Sequence, residues 1–306
     1  MAYNLSELTA YVQENRDVII RNAVLGNGGI RNRMSIQTGI KTKEKLHPFE
    51  VNPIFQDGRG CGFTAQGEAK ISERELETGI IKINMEFCPD DLLGKYAEYL
   101  VKISATSDEL PFEQYILDGV VAAINEGVEK MVFLGDKASD NHVLKHIDGL
   151  VKILKAEADV TDVAIATGQT AYQGILSVYM SMSEEVINKG AEILVSPAIF
   201  RAFMQDMVKA NLFHYNPNEG TVDSFILPGT DVVVRKEVGL TGSLNIIGTY
   251  PKNLYYGTDL ENATEDVKVW FSDDDDNYKL KVKWNSGVQV AYPQDVVLGE
   301  FAQQPK

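Results

Sequence analysis

The segment that most restricts the fold is Pro111–Met131, PFEQYILDGVVAAINEGVEKM. Phe112, Tyr115, Ile116, Val120, Ala123, Ile124 and Met131 fall at helical spacing and make one apolar stripe, so a long amphipathic helix is expected. Gly119 and Gly127 would each cost about 1 kcal/mol in an isolated helix, which predicts close packing or a bend there. Val132-Phe133-Leu134 reads as a strand end. It runs into Gly135-Asp136, and Asp148-Gly149-Leu150 follows.

On the N-terminal side, Leu5–Ala23 reads as a short helix capped by Ser6. The stretch GNGGIRNRMSIQTGIKTKEKLHPF is polar, glycine-bearing and basic, and reads as an extended arm with no core of its own. Between Val51 and Cys88, Ile71, Ile80, Ile81, Ile83, Met85 and Phe87 suggest strands, and 81–87 alternates apolar with polar. The expectation is a long hairpin with little local core. Asp90–Ile103 is an expected helix.

On the C-terminal side, Thr170–Asn188 is an expected helix and Glu192–Val195 a short strand. Ser196 followed by Pro197 is a helix start, a cap and then an N1 proline, and the helix ends near Asn211. β-like runs follow at 224–227, 231–234, 244–250, 253–256, 267–271, 278–284 and 288–292. VKVWFSDDDDNYKLKVKW is an expected hairpin turning at Ser272–Asn277. The fold class is therefore α+β.

Composition removes whole classes of function. A chain of 306 residues, 44 % hydrophobic and 24 % charged, is long enough for one large or two modest cored domains. No apolar run approaches the roughly 20 residues of a membrane helix. The N-terminus lacks a signal-peptide pattern, so a cytosolic site of synthesis is expected. Cys61 and Cys88, the only cysteines, are expected to be free thiols. The net charge of −15 argues against wholesale nucleic-acid binding. The charge is uneven, however. Arg16–Lys45 holds seven bases against two acids, and Gly257–Asp276 holds eight acids against Lys268 alone. The expectation is that the basic arm meets acidic surface on an adjacent subunit. Reversing Arg31 and Arg33 to Glu should then impair assembly and spare the melting temperature.

The motifs for chemistry fail one by one. Asp57-Gly58-Arg59-Gly60-Cys61-Gly62 fits neither a Walker loop nor a dinucleotide fingerprint. His142 and His146 have i,i+4 spacing but lack the adjacent Glu of a zinc peptidase and a third ligand. Asp273–Asp276 lacks the EF-hand pattern and reads as a solvated turn. There is no GxSxG, and His47, His142, His146 and His214 sit in no triad context. No catalytic, cofactor-binding or metal-binding residue is nominated, no cofactor is expected, and the chain is expected not to be an enzyme.

The order of these elements resembles the major capsid protein of tailed bacteriophages, the Hong Kong 97-like fold. FLGDKASDNHVLKHIDGLVKIL (133–154) resembles that family's passage out of its spine helix, and GILSVYMSMSEEVINKGAEILVSPAIFRAFMQDM resembles its axial helical layer. The resemblance implies an N-terminal arm at 1–50 and an extended β-hairpin loop at 51–88. It also implies a peripheral domain with the spine helix at 89–132 and 257–306, and an axial domain at 133–256. It implies an icosahedral virion shell built from pentamers and hexamers around double-stranded DNA, assembled in the host cytoplasm. Expected partners are further copies, a separate scaffolding protein (the chain has no room for a scaffolding region before its arm), a portal and decoration proteins. DNA contact is expected to be non-specific, and no membrane is involved. The arm is expected to stay uncleaved in the particle, and the hairpin to be mobile until assembly. The family's founding member crosslinks Lys to Asn. Lys70 and Asn285 lie in the matching elements, but no motif fixes a pairing and crosslinking is not expected. A nanocompartment shell of the encapsulin type and a stand-alone α+β enzyme are the rival readings.

Overall fold

Fifteen strands and five α-helices are found among the described residues of the computed structural model, namely 29–56, 66–88, 98, 112–211, 223–259, 268–272, 274 and 277–305. The chain begins with β1 (Ser35–Gln37), β2 (Lys43–Leu46), β3 (Phe49–Asn52), β4 (Glu68–Ile71), β5 (Arg74–Glu77) and β6 (Gly79–Phe87). Helices α1 (Phe112–Leu134) and α2 (Leu150–Ala156) follow, then β7 (Thr161–Ile165), α3 (Ala171–Ser181) and α4 (Glu184–Asn188). Next come β8 (Glu192–Val195), α5 (Pro197–Lys209), β9 (Ser224–Ile226), β10 (Val233–Lys236) and β11 (Asn245–Thr249). The last are β12 (Leu254–Thr258), β13 (Lys268–Ser272), β14 (Asn277–Val290) and β15 (Val297–Phe301). The expected helices at Leu5–Ala23 and Asp90–Ile103, the glycine run 57–62 and Cys61 lie outside the described residues.

Two larger sheets organise the chain. One is built on the 14-residue β14. Along one edge β14 pairs with β13 and then β12, and along the other with β6; β1 joins in parallel beyond β12. The expected 272–277 hairpin is present, with Ser272 opposite Asn277. The runs expected at 278–284 and 288–292 merge into this one strand. The second sheet is mixed, in the order β7-β15-β11-β8-β10-β9. Every residue of β8 is buried, because the sheet is covered on both faces. Ile193, Val195, Ile246 and Val297 point into a cluster with α3, α4 and α5. Their neighbours Leu194, Ile247 and Leu298 point into a second cluster shared with α1, α2 and the inner face of the β14 sheet.

Helix α1 runs three residues beyond the expected Met131, so Val132–Leu134 is helix and not a strand end. Val132 and Phe133 are fully buried beneath it, and that packing outweighs the few tenths of a kcal/mol by which such side chains disfavour a helix. Neither interior glycine marks a close approach. Among the described residues a Cβ on Gly119 would meet nothing within 4 Å, and one on Gly127 only Val143 at 3.8 Å.

The Gly135-Asp136 and Asp148-Gly149 pairs form one knot where the chain leaves α1. Gly135 N donates to Met131 O at 3.0 Å and Gly149 N to Gly135 O at 2.8 Å. A Cβ on Gly149 would lie 2.8 Å from Met131 O, so glycine is required there. Lys152 Nζ reaches Asp136 and Asp148 at 2.6 Å each. The Lys152 ammonium holds the Asp136 carboxyl below its usual range.

The helix expected over Thr170–Asn188 is split. Thr170 and Gln173 form a capping box at the start of α3, and the chain turns extended at Met182. Ser183 then caps α4, accepting from Val186 N at 3.3 Å. Ser196 caps α5 as expected, accepting from Ile199 N at 3.4 Å, with Pro197 at N1.

Candidate functional site

Two places concentrate polar or apolar groups that the folding core does not consume. The first is a charged junction beneath the start of the described chain. Arg31 is 1 % exposed. Its Nε donates to Glu129 of α1 at 3.1 Å and its Nη2 to Asn125 Oδ1 at 3.0 Å. Arg33 pairs with Glu192 of β8 and with Glu237, and Arg235 Nε donates to Glu192 at 2.9 Å. Three guanidinium groups and three carboxylates thus meet between α1, β8 and β10; Arg31, Arg33, Arg235, Glu129 and Glu237 of them line a cleft of about 420 Å³. Burial pushes the Glu237 carboxyl up to about 7, with Glu129 adding to the rise and Arg33 opposing it. Burial likewise lowers the Arg33 guanidinium.

This junction corrects two expectations. Residues 29–40 are not a coreless arm, since Ile30, Met34 and Ile40 are all buried in the chain's own clusters. Nor are Arg31 and Arg33 held out for a neighbouring subunit. Their partners are in the same chain, because the glutamates of α1, β8 and Glu237 would otherwise be buried without compensation. Residues 260–267, 273, 275 and 276 of the expected acidic partner Gly257–Asp276 lie outside the described set.

The second place is a ribbon. β2 pairs with β5 and β3 with β4, so two strands run out from the body and back. Its pairing starts at Lys43, inside the stretch expected as arm, while β6, expected within the loop, belongs to the β14 sheet. The base has a small core of Leu46 and Leu76 against Ile40. The described residues of the outer part have none. Cross-strand register puts Phe49 opposite Ile71 and Val51 opposite Ala69, so all four share one face. Phe49, Val51 and Ile71 are 55, 54 and 64 % exposed. Glu50, Lys70 and Glu68 occupy the other face. They line a cleft of about 840 Å³ with Lys189, Tyr292 and Asp295 of the body. Among the described residues three hydrogen bonds tie ribbon to body there: Phe49 N donates to Tyr292 Oη at 3.1 Å, Tyr292 Oη donates to Phe49 O at 3.3 Å, and Gln294 donates to Glu50.

The residues singled out for chemistry are scattered. His142 and His146 lie in a turn and not on a helix, and the His146 ring hydrogen-bonds the His142 carbonyl at 3.0 Å. Among the described residues no group of His, Cys, Asp or Glu is arranged to hold a metal. Lys70 is on β4 of the ribbon, whereas Asn285 lies on β14 and donates to Lys41 O at 2.9 Å. Cys88 is a free thiol. No described helix is long and apolar enough to cross a membrane.

The architecture recurs in solved structures. The satellite phage P4 procapsid, which includes the size determination protein Sid, superposes with a TM-score of 0.59 at 11 % identity, over 94 % of this chain and 98 % of that one. Gordonia phage Cozz gives 0.53 at 14 % identity, over 90 and 86 %. This chain has the fold of phage capsid proteins. A virus-like particle from Pyrococcus furiosus shares it too, with a TM-score of 0.53 at 8 % identity over 94 and 98 %. No protein-family profile matches the sequence, and no curated protein matches it.

With the phage capsid fold established, the two places divide in kind. The junction faces inward and is saturated by its own chain. The ribbon presents an apolar face that its own chain leaves open. Sequence reasoning found the ribbon by its weak local core but missed the junction. The one available signal was a pair of arginines two residues apart between apolar Ile30 and Met34.

Proposed function

We propose that the chain is a structural major capsid protein that closes, as pentamers and hexamers, into an icosahedral shell around double-stranded DNA. The observation that carries this is the uncovered apolar face of Phe49, Val51, Ala69 and Ile71 on a ribbon of a phage capsid fold. A monomer gains nothing by exposing such a strip, whereas a neighbouring copy laid against it would remove it from water. The Hong Kong 97-like arrangement gives the reading its detail: the ribbon of β2 to β5 is the extended loop, α1 with the β14 sheet the peripheral domain, and the six-stranded sheet with α3, α4 and α5 the axial domain. The subunit acts by packing and not by catalysis. Its further partners are a scaffolding protein, a portal and decoration proteins, and it ends in the virion after assembly in the host cytoplasm. Light scattering and negative-stain micrographs of purified protein mixed with a scaffolding partner should show closed shells; monomers alone would sink the reading.

A second reading is a shell of the encapsulin type that encloses protein cargo in place of a genome; it is kept because the fold is shared with a virus-like particle as well as with phage capsids. Particles that co-purify with one protein and no DNA would establish it.

A further inference from the structure

The ribbon is tied to the body at two levels. At its root Gln289 Nε2 donates to Glu75 O at 2.8 Å, and Arg74 pairs with Glu157 just past the end of α2. Farther out it stands off the body across the cleft of about 840 Å³, and there the tie is made by Tyr292 and Gln294. The register explains why one hydroxyl can make two of the bonds. Ser72 N donates to Pro48 O at 3.1 Å, which makes Phe49 and Ile71 a pair that exchanges no hydrogen bonds. The N–H and C=O of Phe49 therefore point away from β4, along the outer edge of β3. Tyr292 Oη accepts from that N–H at 3.1 Å and donates to that C=O at 3.3 Å, as a neighbouring strand would. Gln294 adds a bond to the Glu50 side chain, on the face turned to the cleft.

Tyr292 is itself fixed to the body. Its N–H donates to Asn253 Oδ1 at 2.7 Å, and Asn253 Nδ2 donates back to its C=O at 2.8 Å. Asn253 is fully buried and also reaches Thr249 Oγ1 at 3.2 Å. Asp295, three residues on, accepts from Tyr250 Oη at 3.2 Å and from Lys189 Nζ at 3.1 Å. These groups lie on two segments, 250–253 between β11 and β12 and 291–296 between β14 and β15, where the chain crosses from one large sheet to the other. We propose that Tyr292 and Gln294 form a latch: they set the direction in which the ribbon leaves the body, and they refer that direction to the crossing between the two sheets. The latch is weak enough to open. A hydrogen bond of this kind shifts an equilibrium by only about fivefold. Three of them favour one ribbon direction, and a surface that covers the apolar face of β3 and β4 in another direction shifts the balance. The inference goes beyond the shell reading, because it concerns the free subunit.

The test is a distance measurement by double electron–electron resonance on unassembled full-length chain with Cys61→Ser and Cys88→Ser. Nitroxides are carried on Glu68→Cys of β4 and Arg201→Cys of α5, both exposed and outside the latch. The parent chain should give one narrow distance distribution. Tyr292→Phe keeps the ring and the backbone bonds to Asn253 but loses both bonds to Phe49. It should raise the population outside that peak roughly tenfold or more and leave the melting temperature unchanged. Gln294→Ala should raise it about fivefold. Phe49→Pro removes the donor from the ribbon side, at an edge position that tolerates proline, and serves if Tyr292→Phe does not fold. A broad distribution in the parent chain, or one that these variants leave unchanged, overturns the inference. So does broadening that tracks a fall in melting temperature, since Tyr292 would then support the body and not the ribbon. Micrographs of the parent chain read the shell separately: failure to form shells removes that reading and leaves the latch.

Discussion

Residues 29–40 and the outer ribbon, residues 49–71, have similar textures in sequence: polar, glycine-bearing, with isolated apolar residues. Folding treats them oppositely. The first is drawn into the body by Ile30, Met34 and Ile40 and fixed by Arg31 and Arg33 against three glutamates. The second keeps Phe49, Val51 and Ile71 in solvent and touches the body mainly through Tyr292 and Gln294. Charge placement makes the difference. Buried acids on α1, β8 and after β10 demand buried bases, and the arginines of 29–40 supply them. The described outer strands β3 and β4 meet no such demand, so their order depends on whatever covers their apolar face.

The largest expected effect breaks or confirms the first half of that comparison. Reversing Arg31 and Arg33 to Glu would set two more carboxylates among Glu129, Glu192 and Glu237. Removal of one partner of a buried pair typically costs about 3–5 kcal/mol, so the melting temperature should fall by roughly 10 °C or the chain should fail to fold. Calorimetry decides it. An unchanged melting temperature would return residues 29–40 to the status of a free arm.

The second half is sharpened by polar substitution of the ribbon. Phe49→Ser/Val51→Ser/Ile71→Ser should move subunit stability by less than about 1 kcal/mol, since these side chains are already exposed. Particle yield by light scattering should collapse all the same. Amide exchange at 49–71 should be fast in free subunits and slow in shells. Equal protection in both states would mean that the ribbon is ordered by its own contacts.

The smallest effect concerns protons at the junction. Burial holds the folded Glu237 carboxyl at about 7, above its ordinary range, so the folded chain takes up a proton there as pH falls. The stabilisation from that proton is complete below the ordinary carboxylate range and is lost as pH rises through about 7. Relative to Glu237→Gln, the wild type should therefore lose about 1–3 kcal/mol between pH 5 and pH 8. Parallel denaturation midpoints across that range would show that Glu237 is ionised throughout. The ribbon, with no buried carboxylate among the described residues of its outer part, should show no matching pH effect in amide exchange.

Much of the local structure was legible from the sequence. The α1 helix with Val120, Ile124 and Met131 buried along it, the Ser196-Pro197 start of α5, the 272–277 turn and most late strands follow from periodicity and capping, which are local forces encoded within a few residues. Alternation in 279–284 also dictates that its lysines share one face. The sequence did not settle where each element's surface would go. Val132–Leu134 became helix because the core beneath it was apolar, and β6 left its hairpin because β14 offered a nine-residue partner. Arg31 became interior and Arg33 half-buried because glutamates 98 or more positions away in sequence lie beside them. Local propensities are worth tenths of a kcal/mol, whereas an unpaired buried charge costs several, so the distant contact decides.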